Sequence, residues 1–363
     1  MSNSLGTRFR ITSFGESHGS SVGIVVDGCP AGLHLSPDQI QQDLDRRRPT
    51  TQPGSTPRRE PDTVRILSGM LNGRTTGAPL CMVIDNTDTR SDAYAPFADT
   101  PRPGHADYPA RVKYEQMNDP RGGGRFSGRI TAGFVMAGAV ARAALNTLGV
   151  EVFAHTTQIG TVQAPATDIS AARDAWRRNA LSCCDDTAAI AMEREIEEAR
   201  AADDSVGGII EGVTVGLPVG LGEPVFSTID GEIARGLFAI PAVKAVEFGA
   251  GFGLCRLRGS QSNDPYAFDD VRVITTKNDA GGILGGLSTG MPLVVRVGIK
   301  PTPSISSAQD SVNLKTGKNE ILSVSGRHDA CIVPRAVVVV EAMILNVLCD
   351  LTLQGGFIAG KVK

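Results

Sequence analysis

Aromatic residues and lysines are both scarce in this chain of 363 residues. Phe, Tyr and Trp make up 5% of it, with a single Trp, so its core must be built from aliphatic and small side chains. Lysine supplies eight of the 36 basic residues and arginine the other 28, and arginine's planar fork suits carboxylate and phosphate better than a point charge does. A net charge of −3 gives no general attraction to nucleic acid or an anionic membrane, so basic residues must act locally. The seven cysteines include no C-x-x-C pair, and Cys183 and Cys184 are merely adjacent. A structural zinc site is therefore not expected, no metal is implied, and a reducing cytoplasm is the expected setting. No apolar run reaches the length of a membrane span, and Met1–Arg10 does not look like a signal peptide. Also missing are G-x-x-x-x-G-K-[ST] and G-x-G-x-x-G, which disfavours nucleotide hydrolysis and ordinary dinucleotide chemistry.

Glycine (42 residues) and proline (21) are plentiful, and they punctuate a mixed pattern. Strands are predicted at Thr7–Ser13, Val22–Asp27, Val64–Ser68, Pro79–Asp85, Val206–Val215, Val243–Phe248 and Leu293–Ile299. Helices are predicted from Ser36 to Arg47, Thr131 to Leu148, Asp168 to Leu181, Asp185 to Asp204, Thr228 to Phe238 and Val333 to Leu353. Residues 50–61 read as loop, and Asn86–Gly128 as a long irregular region of the kind that is usually functional. Three echoes recur in order. Gly23–Gly28 resembles Gly208–Gly212, Ile66–Gly69 with Thr76–Leu80 resembles Ile283–Gly286 with Thr289–Leu293, and Gly128-Arg129 resembles Gly326-Arg327. They suggest an α+β unit duplicated and closed on itself as one domain spanning residues 1–363, with an internal pseudo-twofold.

Three of the five histidines lie in glycine-framed segments: Gly15-Glu16-Ser17-His18-Gly19, Arg102-Pro103-Gly104-His105-Ala106-Asp107 and Gly326-Arg327-His328-Asp329. Glycine lets backbone come close to a ligand beside a side chain that titrates near neutrality. The first segment fits G-x-S-x-G formally, but it leads into a strand at the start of the chain, unlike a hydrolase elbow. Arg121-Gly122-Gly123-Gly124-Arg125-Phe126-Ser127 offers successive N–H groups between two arginines, which reads as an anion nest near a helix start. Arg46-Arg47-Arg48, with Arg58 and Arg59, reads as an anion clamp or a solvated helix end. Gly281–Gly286 and Lys300–Ser304 bracket a strand and could receive a flat ring. His34 and His155 have no such frame and no assigned role.

In this order and at these separations, the segments resemble the chorismate synthase family. Asp45-Arg46-Arg47-Arg48-Pro49, Arg59-Glu60-Pro61-Asp62, Leu221–Phe226 and Ala242-Val243-Lys244 are further matches, and the resemblance runs from about Gly6 to the final helix. It implies a β-α-β sandwich with helices packed between antiparallel sheets, assembled as a homotetramer. It implies 1,4-elimination of phosphate from 5-enolpyruvylshikimate 3-phosphate to give chorismate, with reduced FMN required but not consumed. By this resemblance His18 protonates the leaving phosphate, His105 stabilises the reduced ring's charge, and Asp329 acts near flavin N5 as the C–H proton is taken up. Flavin contacts are implied at Arg125, Phe126, Ser127, Pro241, Ala242, Gly285, Lys300, Pro301, Thr302, Pro303, Ser304 and Arg327. Substrate or NADP contacts are implied at Arg47, Arg129 and Arg335. Phe126 stands where the family often has a serine, and Pro241 where it often has Asn, which removes a donor. Some members reduce their own flavin with NADPH, and Arg47 matches one arginine linked with that nucleotide. The second such position is Pro53, so dependence on an external flavin reductase is expected. A flavin-dependent oxidoreductase would instead turn over electrons stoichiometrically, and a phosphometabolite-binding protein would not need both histidines and Asp329.

Overall fold

The computed structural model describes residues 3–48, 61–87, 91–324 and 329–360. Most of the predicted loop at 50–61, with Pro53, Arg58 and Arg59, lies outside them, as do Gly326, Arg327 and His328. Two five-stranded antiparallel sheets organise the chain. In the first, β1 (Ser4–Leu5), β2 (Arg10–Gly15), β3 (Ser21–Asp27), β4 (Arg65–Ser68) and β5 (Leu80–Asp85) pair in the order β1-β2-β3-β5-β4. In the second, β6 (Glu151–Ile159), β7 (Val162–Gln163), β8 (Gly208–Val215), β9 (Val243–Phe248) and β10 (Leu293–Ile299) pair in the order β9-β10-β8-β6-β7. The alternation of β10, with Leu293, Val295, Val297 and Ile299 buried, is the period-2 signature of a strand with one face on the core.

Six helices matter here: α1 (Pro37–Arg47), α2 (Asp107–Lys113), α3 (Thr131–Leu145), α4 (Asp186–Ala201), α5 (Ile229–Leu237) and α6 (Val333–Gln354). The start of α1 is fixed by a capping box, in which the Ser36 hydroxyl accepts from Gln39 N and Gln39 Oε1 accepts from Ser36 N. Helix α3 packs on β3 and on α6, while α6 packs on β6 and β8. Small residues permit this closeness. A Cβ on Gly138 would lie 2.5 Å from Ala342 Cβ, and one on Gly212 of β8 would lie 2.5 Å from Ile344 Cδ1. Val337–Val340 of α6 are β-branched and individually poor helix formers, but the whole run is buried, so tertiary packing overrides propensity. Both α6 and the segment around α3 are long and apolar enough to cross a membrane by composition, yet 94% of the α6 window is buried inside the protein.

Expectation and structure part in four places. Strand β6 was not expected, because Val152 to Thr156 are buried on both faces and so lack alternation. Asn86–Gly128 is not structureless: it holds 3-10 turns at Ser91–Ala98 and Arg121–Phe126 and helix α2 between them. The helix expected from Asp168 to Leu181 is two short pieces, Ile169–Arg173 and Ala175–Arg178. Hairpins at Tyr266–Asp269/Arg272–Thr275 and Gln309–Asn313/Lys318–Leu322 were also missed.

Two further hairpins, Met70–Leu71/Arg74–Thr75 and Ile283–Leu284/Leu287–Ser288, lead into β5 and β10. Each anchors itself through one hydroxyl. Thr75 Oγ1 donates to Pro30 O at 2.6 Å and accepts from Leu33 N. Ser288 Oγ donates to Pro218 O at 2.5 Å and accepts from Leu221 N.

Candidate active site

The three-glycine loop is where the predicted histidines come together. Gly122, Gly123 and Gly124 all have positive φ, at 60°, 81° and 51°, a region costly for any residue with a Cβ. A Cβ on Gly122 would sit 2.5 Å from His18 Nε2, and one on Gly123 would sit 3.4 Å from His105 Nε2. Neighbouring glycines of one loop thus face the two imidazoles, with His18 supplied by the β2–β3 turn and His105 by the turn before α2. The loop is not the expected arginine-flanked nest. Arg121 pairs with Asp119 at 2.8 Å, and Arg125 turns back to donate to Gly15 O and Ser13 O. Burial lowers the pKa of Arg125, with a nearby Glu16 opposing. The physical reason is that carbonyls exposed by the β2–β3 turn claim Arg125 first.

His18 is buried, and the ring of Tyr94 meets it edge-on with centroids 5.1 Å apart. Beside it, the Ser17 hydroxyl is buried without a hydrogen-bond partner among the described residues. His105 is held from below. Its Nδ1 lies 2.6 Å from Asp107 Oδ1, and Asp107 accepts from Arg102 Nε and Nη2, each at 2.8 Å. Arg102 also donates to Ser304 Oγ at 3.1 Å and stacks over Phe97. Burial opposes ionisation of Asp107, but the hydrogen bonds from Arg102 and His105 outweigh it and hold this carboxyl well below the usual range. It therefore stays an acceptor, which fixes the orientation of His105.

The arginines gather around Asp62. Arg47 donates to Asp62 Oδ2 at 3.2 Å, to Gly128 O and to Thr131 Oγ1. Arg129 pairs with Asp62 Oδ1 and donates to Asn86 Oδ1 at 2.9 Å. Asn86 in turn donates to Glu16 O and Gly19 O, which ties the arginine cluster to the His18 turn. Arg335, at the start of α6, donates to Arg47 O and pairs with Asp329. Arg47, Arg129, Arg335 and Asp329 are thus joined in one network, which reaches the turn carrying His18 through Asn86.

Lys300–Ser304 comes to the His105 side: a Cβ on Gly104 would lie 3.4 Å from Pro303 and 3.8 Å from Lys300 Nζ. Lys300 N donates to Ala242 O at 2.9 Å, and Ala242 has a φ of 73°, unusual for a residue with a Cβ. Burial, followed by repulsion from Lys244, lowers the pKa of Lys300. An open cleft of about 150 Å³ is lined by His105, Asp107, Gly123 and Phe126, among others. Phe126 is exposed at its rim, beside Tyr114.

A chorismate synthase sequence profile matches residues 9–353. The chain belongs to the chorismate synthase family. A chorismate synthase of Dehalococcoides mccartyi is 53% identical over all of both chains, and one of Methanocella arvoryzae is 51% identical over 98% of this chain and 95% of its own. A crystal structure of chorismate synthase superposes with a TM-score of 0.77 at 30% identity, covering 96% of this chain and 93% of that one. As a chorismate synthase family member the chain is a lyase of aromatic amino acid biosynthesis.

Gly285 stands apart from the other sequence matches. It lies in the hairpin before Leu293, whereas Lys300 follows Ile299, so about 20 Å of strand separates them. Arg327 lies outside the described residues. Asp62 and Asn86 were missed as organisers of the arginines, although Asp62 ends the Arg59-Glu60-Pro61-Asp62 segment. The roles of Arg102 and Asp107 were also missed. Their flanking of His105 by three and two residues was the available signal.

Proposed function

We propose that this chain converts 5-enolpyruvylshikimate 3-phosphate to chorismate and phosphate by 1,4-elimination, with reduced FMN bound and no net redox change. The observation that carries the reading is the pair of imidazoles held against adjacent glycines, with an arginine network tied through Asn86 to the turn that carries one of them. The substrate carries a phosphate and two carboxylates, and Arg47, Arg129 and Arg335 supply fork donors for such groups. Asp62 keeps Arg47 and Arg129 paired and oriented until a substrate anion competes for them. His18 donates a proton toward the departing phosphate, and its enclosure by Tyr94 and Gly122 limits competing water. Asp329, held by Arg335, manages the C–H proton.

The residues present fit a flavin. The open cleft beside His105, with the Lys300–Ser304 segment close to Gly104 on the same side, offers a partly polar recess. His105, Arg125, Phe126, Ser127, Pro241, Ala242, Lys300 to Ser304 and Arg327 would hold the cofactor. Phe126 and Pro241 would contribute by contact and backbone alone. When bound, reduced FMN lends electron density to the allylic system and receives it back. Gly285 would have to come from a neighbouring chain of the homotetramer that the family resemblance implies. We read the chain as dependent on an external flavin reductase rather than on NADPH, because the second nucleotide-linked position is Pro53. We further read the chain as a single cytoplasmic domain, without nucleic-acid or membrane partners. Its helices would lie between two sheets of a duplicated unit. The matching hydroxyl anchors of Thr75 and Ser288 support the duplication. They move the sequence echo, pairing Met70–Leu71 rather than Ile66–Leu67 with Ile283–Leu284.

The test is an anaerobic assay of 5-enolpyruvylshikimate 3-phosphate with catalytic reduced FMN, following chorismate absorbance and phosphate release. Many turnovers per flavin are expected, with a severe loss of turnover in His105→Ala while substrate binding is largely kept. No product from folded protein overturns the activity. Aerobic turnover on NADPH and FMN alone overturns the reductase dependence.

A further inference from the structure

A second imidazole site lies on the other face of the second sheet, away from α6. His155 on β6 and Glu211 on β8 are direct cross-strand partners, and both point away from the face on which Gly212 meets Ile344. His155 Nδ1 is 3.2 Å from Cys184 Sγ, and its Nε2 is 3.1 Å from Glu211 Oε1. One ring nitrogen therefore faces a sulfur while the other faces a carboxylate, the arrangement that activates nucleophilic cysteines in Cys-His-Asn proteases. Because the sulfur and the carboxylate bind opposite edges of the ring, they cannot share a metal ion with it.

The sulfur is held in place by its own backbone. Arg178 donates to Cys184 O at 2.8 Å, Asn179 donates to Cys183 O, and Thr156 N and Oγ1 donate to Ser182 O and Leu181 O. Cys183 points the other way, its Sγ against Asp185 O and its side chain in the main core, whereas Cys184 joins the separate cluster of Phe153, Ala172, Ala175 and Val213. The neighbouring thiol is therefore not placed to capture Cys184 in a disulfide. Other charges face the site. Arg296 and Glu247 continue the cross-strand row beyond Glu211, Arg173 lies over Phe153 and pairs with Glu151, and Asp185 and Asp186 begin α4. Burial disfavours a charged His155, but hydrogen bonding and charge from Cys184 and Glu211 outweigh it, pushing its pKa up to about 9.

We propose that Cys184, paired with His155 and backed by Glu211, is a nucleophilic site for covalent modification by small hydroperoxides and alkylating electrophiles. With a hydroperoxide, the Cys184 thiolate attacks one oxygen and the O–O bond breaks. Sulfur gives up two electrons to become a sulfenic acid. The leaving hydroxide or alkoxide takes the imidazolium proton and departs as water or alcohol. With residue exposure of 7% at Cys184 and 3% at His155, only small reagents reach the sulfur.

The exposed Cys255 is an internal reference. Full-length protein is treated with iodoacetamide at pH 6.5, and separately with hydrogen peroxide and a dimedone trap, and each cysteine peptide is followed by mass spectrometry. Cys184 is expected to react at least tenfold faster than Cys255 with both reagents. His155→Ala removes that advantage and leaves the Cys255 rate unchanged, and Glu211→Gln lowers the Cys184 rate severalfold. Equal or slower reaction of Cys184 in the wild-type chain overturns the proposal. So does an unchanged Cys184 rate in His155→Ala. Should that variant not fold, the wild-type rate ratio and Glu211→Gln decide.

Discussion

Gly122 is the glycine packed directly against the His18 ring. Replacing it by Ala adds a Cβ about where the His18 ring stands, and the left-handed conformation costs a further ~1 kcal/mol. The imidazole must shift by about 1 Å to restore ordinary contact, and a displacement on the order of 1 Å at a reacting group is worth about hundredfold in rate. Gly122→Ala should therefore lose roughly two orders of magnitude in kcat, with circular dichroism unchanged. Wild-type turnover in this variant would show that His18 does not need its place. The glycine frame was visible in the sequence, and so were the residue types that it holds. The direction taken by Arg125 was not, because it answers to Ser13 and Gly15, partners that no local pattern connects to it, whereas Asp119, two residues before Arg121, was an available signal.

Helices α1, α3 and α6 meet at a buried carboxylate. Glu341 accepts from Arg46 at 2.7 Å and from Arg142 at 2.7 Å, and Asp43 pairs with both arginines. Burial favours the neutral acid, yet charge and hydrogen bonds from Arg46 and Arg142 outweigh it, so Glu341 stays ionised below its ordinary pKa. Glu341→Gln leaves two arginines with one fewer charge to answer and should cost about 3–5 kcal/mol at pH 7. The sign with pH follows from linkage. A depressed folded pKa stabilises above the unfolded value near ~4.3 and is lost as pH falls through the folded one. Urea midpoints of wild type and variant should therefore converge below pH 4, and a constant gap would contradict the assignment. A helix with a clear cap and period, such as α1, was legible, and α6 was legible from its long apolar run. Strand β6 was not, because burial on both faces erases the alternation that marks a strand. The same blind spot left His155 without a role.

Among the described residues, the main apolar cluster draws on both sheets and on helices α1, α3, α4, α5 and α6. If the chain's halves descend from one unit, equivalent anchors should weigh alike. Thr75→Ala and Ser288→Ala each remove a buried hydroxyl that bridges a carbonyl and an N–H, and each should lower stability by about 1–3 kcal/mol. A large effect at one position and none at the other would count against equivalence. Long-range closure of this kind also bears on how the protein is made. Asp350, near the end of α6, accepts from the backbone N–H groups of Thr7, Arg8 and Phe9. At ribosomal speeds of ~5–20 residues per second, on the order of tens of seconds separate emergence of Thr7–Phe9 from that of Asp350. The amino-terminal segment must therefore wait without its carboxylate partner until synthesis is nearly complete. That makes the nascent chain, rather than the finished enzyme, the form most dependent on chaperones.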